Sequence, residues 1–301
     1  MKLNDNWKLR QFDVGAARDL EVASPEYIDY FWSTASVPGD VHSTLIDRKL
    51  IEDPFYGHND LKCQWVEEKV WWYRSTFEFH DDLQKDDTYE LVFEGLDTFA
   101  TVYLNGVELG STENMFISHT FEVARELKKG KNVLAVKFDP ITVHVKDKVQ
   151  YYWSGFSKKR IWTRKAQSHY GWDWGPRLVA AGIWKDVHLE KRTSAKLNSV
   201  FAKTTSISSD KAIVEVELEI EKFTRNKNYE VMTSLTYGEE IFSTKVKVDR
   251  KKATAVLEVS NPKLWWTHDI GTPHLYQLTV ELFADGEKID DRCEEFGIRT
   301  I

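Results

Sequence analysis

From about residue 70 onward, apolar side chains recur at every second position. That period turns one row of side chains inward and the next outward along a β-strand. Val214, Val216, Leu218 and Ile220 alternate with Glu215, Glu217, Glu219 and Glu221, which predicts a strand with one buried and one wet face in an antiparallel sheet. Tyr276, Leu278, Val280 and Leu282 repeat the pattern, and Leu134, Val136 and Phe138 form a similar row. The run from Val102 to Leu109 reads as a hairpin closed by Asn105-Gly106 in a type I′ turn, and Asp285-Gly286 is expected to close another. Helix is sparse. One short helix is expected after Gly39, with Asp40 as N-cap, Val41, Leu45 and Ile46 facing inward, and an end before Pro54. Short strands separated by turn residues predict an all-β protein built of sandwiches, without βαβ units.

At 301 residues the chain has room for two domains. The boundary is placed between Lys191 and Lys196, where an aromatic-rich part gives way to charged alternating strands, so the expected domains are 1–192 and 193–301. Ten of the twelve Trp precede it, which directs the search for function to the first domain. A net charge of -7 and a pI near 5.8 argue against a nucleic-acid partner, whose phosphates would call for a basic stripe. One local exception, Lys158, Lys159, Arg160, Arg164 and Lys165, is read as a solvated loop. Cys63 and Cys293 are far apart and belong to no CxxC pair, so neither a disulfide framework nor a thiolate zinc site is indicated. The first residues lack the apolar core of a signal peptide, and no apolar run is long enough to cross a bilayer. A cytoplasmic protein without a membrane partner is therefore expected.

Phosphate-binding signatures and the Gly-x-Ser-x-Gly elbow are absent from the sequence, which weighs against nucleotide and acyl-transfer chemistry. His268 and His274 flank a Gly-Thr-Pro turn, but exposed turn histidines are ordinarily just solvated, and no metal or cofactor is expected. The segment running from Gln167 to Arg177 is the most informative, because it sets Asp173 between Trp172 and Trp174 in a turn built from Gly171, Gly175 and Pro176. Indole faces stack on the C–H faces of a pyranose, and a carboxylate accepts hydrogen bonds from two neighbouring hydroxyls. A packing turn with buried indoles is the alternative reading. Retaining glycoside hydrolysis needs two carboxylates about 5 Å apart. With 48 acidic residues the sequence does not select such a pair, and Asp173 is read as a sugar-hydroxyl acceptor. Trp71, Trp72, Trp265 and Trp266 sit in strand-like runs and are assigned to packing.

Several motifs together resemble a known family. Val37-Pro38-Gly39-Asp40-Val41-His42, Asp53-Pro54-Phe55-Tyr56-Gly57 and Trp71-Trp72-Tyr73-Arg74 resemble the opening of β-mannosidases of glycoside hydrolase family 2. The run from Gly95 to Gly106 looks like that family's first sandwich, and the segment from Gly171 to Arg177 like the loop of its β-mannosidase branch. Asn261-Pro262-Lys263-Leu264-Trp265-Trp266, Pro273-His274-Leu275-Tyr276 and the terminal run from Phe296 to Ile301 resemble its second domain. The resemblance implies a jelly-roll-like, galactose-binding-like sugar-binding sandwich followed by an immunoglobulin-like β-sandwich. In the family a catalytic (β/α)₈ barrel follows, and nothing in this sequence matches it.

The resemblance therefore implies the N-terminal, non-catalytic part of a retaining β-mannosidase, inactive by itself. Its partners would be a β-mannoside or manno-oligosaccharide substrate and the missing C-terminal barrel of the same protein, with a homodimer left open. Trp172 and Asp173 are expected to line the sugar subsite, and no catalytic residue is assigned to this chain. Trp174 is expected to alternate away from the sugar into the sandwich. Arg164 and Arg177, which bracket the loop, are expected to hold Asp173 by charge-assisted hydrogen bonds. A stand-alone carbohydrate-binding module and a structural adaptor are the rival readings.

Overall fold

The computed structural model describes residues 1–83, 88–148, 157–224, 226–248 and 250–300. The chain divides into two units, Met1–Lys191 and Arg192–Ile301. Among the described residues, the strands of the first are β1 (Lys8–Phe12), β2 (Ser33–Thr34), β3 (Val70–Phe79), β4 (Thr88–Phe93), β5 (Leu96–Asp97), β6 (Ala100–Leu104), β7 (Val107–Thr112), β8 (His119–Glu122), β9 (Gly130–Phe138), β10 (Gly182–Ile183) and β11 (Val187–Arg192). They form a six-stranded sheet in the order β2-β1-β3-β9-β6-β7, a three-stranded sheet β11-β4-β8 and a two-stranded pair β10-β5. One continuous apolar core joins Trp71 and Tyr73 of β3 and Leu134, Val136 and Phe138 of β9 to Leu91 and Phe93 of β4 and Leu189 of β11. Two sheets packed face to face over such a core are a β-sandwich.

The outer face of the larger sheet is covered as well. Val22, Ala23 and Trp32 pack on Val70, Trp72, Tyr103 and Ala135, so β3 and β9 are buried on both faces. Arg74 of β3 holds this cover in place from within the core. Its guanidinium donates to the backbone carbonyls of Val22 and Ser24 and to the Asp29 carboxylate, which also takes Lys8 at 2.6 Å. These bonds to a fully buried cation offset the cost of taking it out of water.

The expected hairpin joins β6 to β7, with Asn105 and Gly106 both at positive φ (53° and 85°), as a type I′ turn requires. The expected helix is α2 (Val41–Asp47), after the one-turn α1 (Asp19–Ala23); the Asp40 side chain accepts from the Ser43 N–H, and Val41 and Leu45 are buried. Two further short α-helices among the described residues of this unit are α3 (Asn59–Lys62) and α4 (Ile141–Val145). Among the described residues, no helix is long and apolar enough to cross a membrane.

The second unit has β12 (Ala195–Ile207), β13 (Lys211–Lys222), β14 (Tyr229–Tyr237), β15 (Glu240–Lys247), β16 (Lys252–Ser260), β17 (Tyr276–Ala284) and β18 (Glu287–Phe296). They form two antiparallel sheets, β12-β13-β16 and β15-β14-β17-β18. Val214, Val216, Leu218 and Ile220 of β13 face Tyr276, Leu278, Val280 and Leu282 of β17 in one core. On the wet face, the Glu row of β13 meets lysines from the strands beside it, Lys203 on Glu215 and Glu217 and Lys252 on Glu219. Opposite charges at directly paired positions favour this register. Asp285 and Gly286 close the β17–β18 hairpin at positive φ. Three strands packed on four, all antiparallel, give an immunoglobulin-like sandwich. Trp265 and Trp266 lie outside the strands: Trp266 is 40% exposed, and the Arg299 guanidinium lies over both rings, so packing there is partial.

Candidate functional site

The Trp-Asp-Trp segment is an exposed turn on a hydrogen-bonded base. A turn of 3-10 helix over Gln167–Tyr170 leads into Gly171 at φ 86°, where a Cβ would lie 3.1 Å from that of Arg177. Glycine there lets the two arms of the loop pass close together. Beyond it the chain reverses between Trp172 and Gly175, whose backbone groups bridge, with Trp172 N–H donating to Gly175 C=O at 3.3 Å.

Trp172, Asp173 and Trp174 are all exposed at the tip, Trp174 at 81%. The two indole centroids lie 5.2 Å apart with a 46° tilt, and the Arg160 guanidinium sits 5.7 Å over Trp172. The expectation that Trp174 packs into the sandwich is thus overturned. Alternation of successive side chains belongs to extended strands; in a tight reversal, positions i and i+2 converge, and both rings stay in solvent. Trp174→Ala is accordingly expected to change stability by no more than about 0.5 kcal/mol, as for other surface positions. A thermal melt checks this, and a drop of several degrees would mean the ring is packed.

The arginine expectation fails as well. Arg177 is engaged elsewhere, donating to both carboxylate oxygens of Glu67, which also has Lys159 at 3.5 Å. Arg164 is exposed and contributes its backbone carbonyl, which accepts from Met115 N–H at 3.0 Å. Among the described residues, Asp173 has no hydrogen-bond or ion-pair partner in the protein, so its carboxylate is available to a ligand. Arg177 braces the base of the loop through Glu67, and the tip is left free.

The residue that sequence reasoning missed is Lys165. It belongs to the basic run read as a solvated loop, yet its side chain is fully buried. Its ammonium donates to the Asp97 carboxylate, itself only 4% exposed, and to the Ala180 carbonyl at 2.6 Å. The upstream arm of the loop is thereby fastened both to β5 and to its own downstream arm. Gln167 adds bonds to the carbonyls of Arg160 and Lys165, Gln64 bonds the Arg177 carbonyl at 2.8 Å, and Thr163 and Tyr170 share a buried hydroxyl pair at 2.8 Å. Burial pulls the Lys165 pKa below that of an ordinary lysine, while Asp97 pulls it back up.

Two histidines stand beside this ion pair. Burial lowers the pKa of both His42 and His169, and the Lys165 charge lowers each further; Asp40 opposes the shift at His42, and Asp97 and Asp40 oppose it at His169. A folded-state pKa below the unfolded value, about 6.5 for His, means the unfolded chain binds protons first as pH falls. The contribution is fully present above that unfolded value and is lost as pH drops through the depressed folded values. The melting temperature of the first unit is expected to fall between about pH 6.5 and 5, before ordinary carboxylates titrate, and His169→Gln should flatten that fall. A melting temperature constant over this window would contradict it.

An exposed aromatic pair and an unpartnered carboxylate, raised on a doubly fastened base, offer a ligand stacking faces and a hydrogen-bond acceptor. The glycosyl hydrolase 2 galactose-binding domain-like family matches residues 7–185, and glycosyl hydrolases family 2 matches residues 188–299. The chain belongs to glycosyl hydrolase family 2. It is 34% identical to β-mannosidase B of Emericella nidulans over 281 residues, covering 90% of this chain and 33% of that protein. With β-mannosidase B of Neosartorya fischeri the identity is 32%, over 97% of this chain and 36% of the relative. Among solved structures, a β-D-mannosidase from Dictyoglomus thermophilum superposes with a TM-score of 0.85 at 32% identity, over 99% of this chain and 36% of that one. An exo-chitosanase from Amycolatopsis orientalis shares the fold, with a TM-score of 0.73 at 20% identity. The chain spans about a third of the length of these relatives.

Proposed function

We propose that this chain is the N-terminal, non-catalytic part of a retaining β-mannosidase, which removes terminal, non-reducing β-D-mannose residues from β-mannosides. The catalytic carboxylates, one acid/base and one nucleophile forming a glycosyl-enzyme intermediate, lie in a further domain. Trp172 and Asp173 form one wall of the sugar subsite, the indole against the ring's C–H face and the carboxylate accepting from two neighbouring hydroxyls. The observation that carries this reading is the exposed, unpartnered Asp173 beside an exposed indole on a braced loop, in a chain about a third identical to β-mannosidases. Lys165, Arg177 and Glu67 keep the loop in position without touching the sugar.

The test is hydrolysis of an aryl β-mannoside by the 301-residue chain beside the full-length gene product that contains it. Turnover by the longer protein alone is expected. Turnover by the short chain would put both catalytic carboxylates within these residues and overturn the reading.

A further inference from the structure

His169 stands between the charge anchor of the loop and its tip. It belongs to the single 3-10 turn Gln167–Tyr170 that leads into Gly171, just ahead of Trp172. Its Nδ1 lies 3.7 Å from the Asp97 carboxylate oxygen that also takes the Lys165 ammonium. That nitrogen is buried and, among the described residues, has no hydrogen-bond partner. We infer that His169 is an acid-operated latch on the loop. Neutral, it keeps the 3-10 turn seated against β5 and the Trp172–Trp174 tip in place; protonated, it lifts the turn and releases the tip while the sandwich stays folded.

Charged groups face this imidazole from three elements. Asp97 comes from β5, Lys165 from the upstream arm of the loop and Asp40 from the start of α2. Helix α2 also brings the imidazole of His42, whose Nδ1 is 3.9 Å from Asp40. With His169 neutral, Lys165 and Asp97 form a buried pair of one charge of each sign. Protonation adds a second cation at an acceptor oxygen already taken, beside a buried ammonium, where charges are poorly screened. Burial and the Lys165 charge disfavour that form in place, Asp97 and Asp40 favour it, and the balance holds the folded pKa below the ordinary histidine value.

Exposure decides which histidine moves. The His169 side chain is 28% exposed and has a side already open to water, whereas that of His42 is 7% exposed and sits within α2. Lifting the turn from β5 hydrates the imidazolium, and the movement reaches the tip through Gly171. The Gly171 N–H donates to the Ser168 carbonyl of that same turn at 3.1 Å, and Trp172 follows directly. The consequence for the sugar rests on the reading of Trp172 and Asp173 as a subsite wall: acid withdraws the wall and weakens the grip. The latch itself is observable without any sugar.

The experiment is an NMR titration of the intact 301-residue chain from about pH 7.5 to about pH 5, following indole, imidazole and amide signals. The Trp172 and Trp174 indole N–H signals are expected to move in one step, with a midpoint below about pH 6.5 that the His169 imidazole shares. Across that step the protection of the Gly171 amide against hydrogen exchange should drop roughly ten-fold or more. The signals of the buried Trp7 and Trp72 should stay where they are, showing the sandwich folded. His169→Gln should abolish the step, and Asp173→Asn, which removes the titrating group of the tip itself, should keep it. Several outcomes would overturn the latch: no step, a step kept in His169→Gln or lost in Asp173→Asn, undiminished Gly171 protection, or Trp7 and Trp72 moving at the same midpoint. Should His169→Gln fail to fold, the wild-type chain decides, because separate midpoints for the imidazole and the tip indoles would exclude the latch. The subsite reading fails instead on the kinetics of Asp173→Asn in the full-length protein, so the two failures are distinguishable.

Discussion

Lys165→Met is expected to lower the melting temperature of the first unit by roughly 6–20 °C and to leave the transition of the second where it is. Removing one member of a buried ion pair strands the other charge in an apolar interior, which costs about 3–5 kcal/mol. In a domain of this size each kcal/mol corresponds to about 2–4 °C. Asp97 is the charge left behind, and the Ala180 carbonyl loses its donor at the same time. Tryptophan fluorescence reads the first unit almost selectively, since ten of the twelve Trp lie in it. The double variant Asp97→Leu with Lys165→Met should recover most of the loss, because a dry apolar pair can replace a buried ionic one at little net cost. A single variant that melts with the wild type would show that the pair does not fasten the loop.

The second large effect concerns chemistry. In the full-length protein, Asp173→Asn is expected to reduce kcat/KM for an aryl β-mannoside by roughly 10²-fold or more, with no change in melting temperature. Hydrogen bonds to a charged partner are worth about 1.5–3 kcal/mol each, and the proposed carboxylate accepts two. The neutral amide keeps one acceptor oxygen and presents a donor where the sugar also donates. Stability is spared because Asp173 is exposed and, among the described residues, bonds to nothing in the protein. A loss appearing mainly in KM would assign it to uniform grip on the sugar, and one in kcat to contacts made in the transition state. Unchanged kinetics would remove Asp173 from the subsite.

The legible parts of this fold were those written in local patterns. The Glu-alternating row of β13 and the matching row of β17 carry period two because each strand has one wet face. Asn105-Gly106, Asp285-Gly286 and the Asp40 cap are set by backbone conformations that few residues tolerate. Strand β3 was harder to read: Trp71, Trp72, Tyr73 and Arg74 are all buried, so there is no alternation to see. Helices α1, α3 and α4 have four or five residues each, too few to establish a helical period. Within the candidate site, the Trp-Asp-Trp composition marked the loop, but its supports did not show. Lys165 meets a carboxylate 68 residues away, and Arg177 one 110 residues away. Sequence proximity instead suggested Asp173 as the partner of Arg177, and a run of basic residues concealed a core lysine.

The most direct measurement of the central claim is a crystal structure of the full-length protein with a mannose-configured inhibitor bound at its catalytic carboxylates. The account predicts the Asp173 carboxylate within hydrogen-bond distance of two neighbouring ring hydroxyls and the Trp172 indole against the sugar. A sugar seated there with neither residue in contact would contradict it.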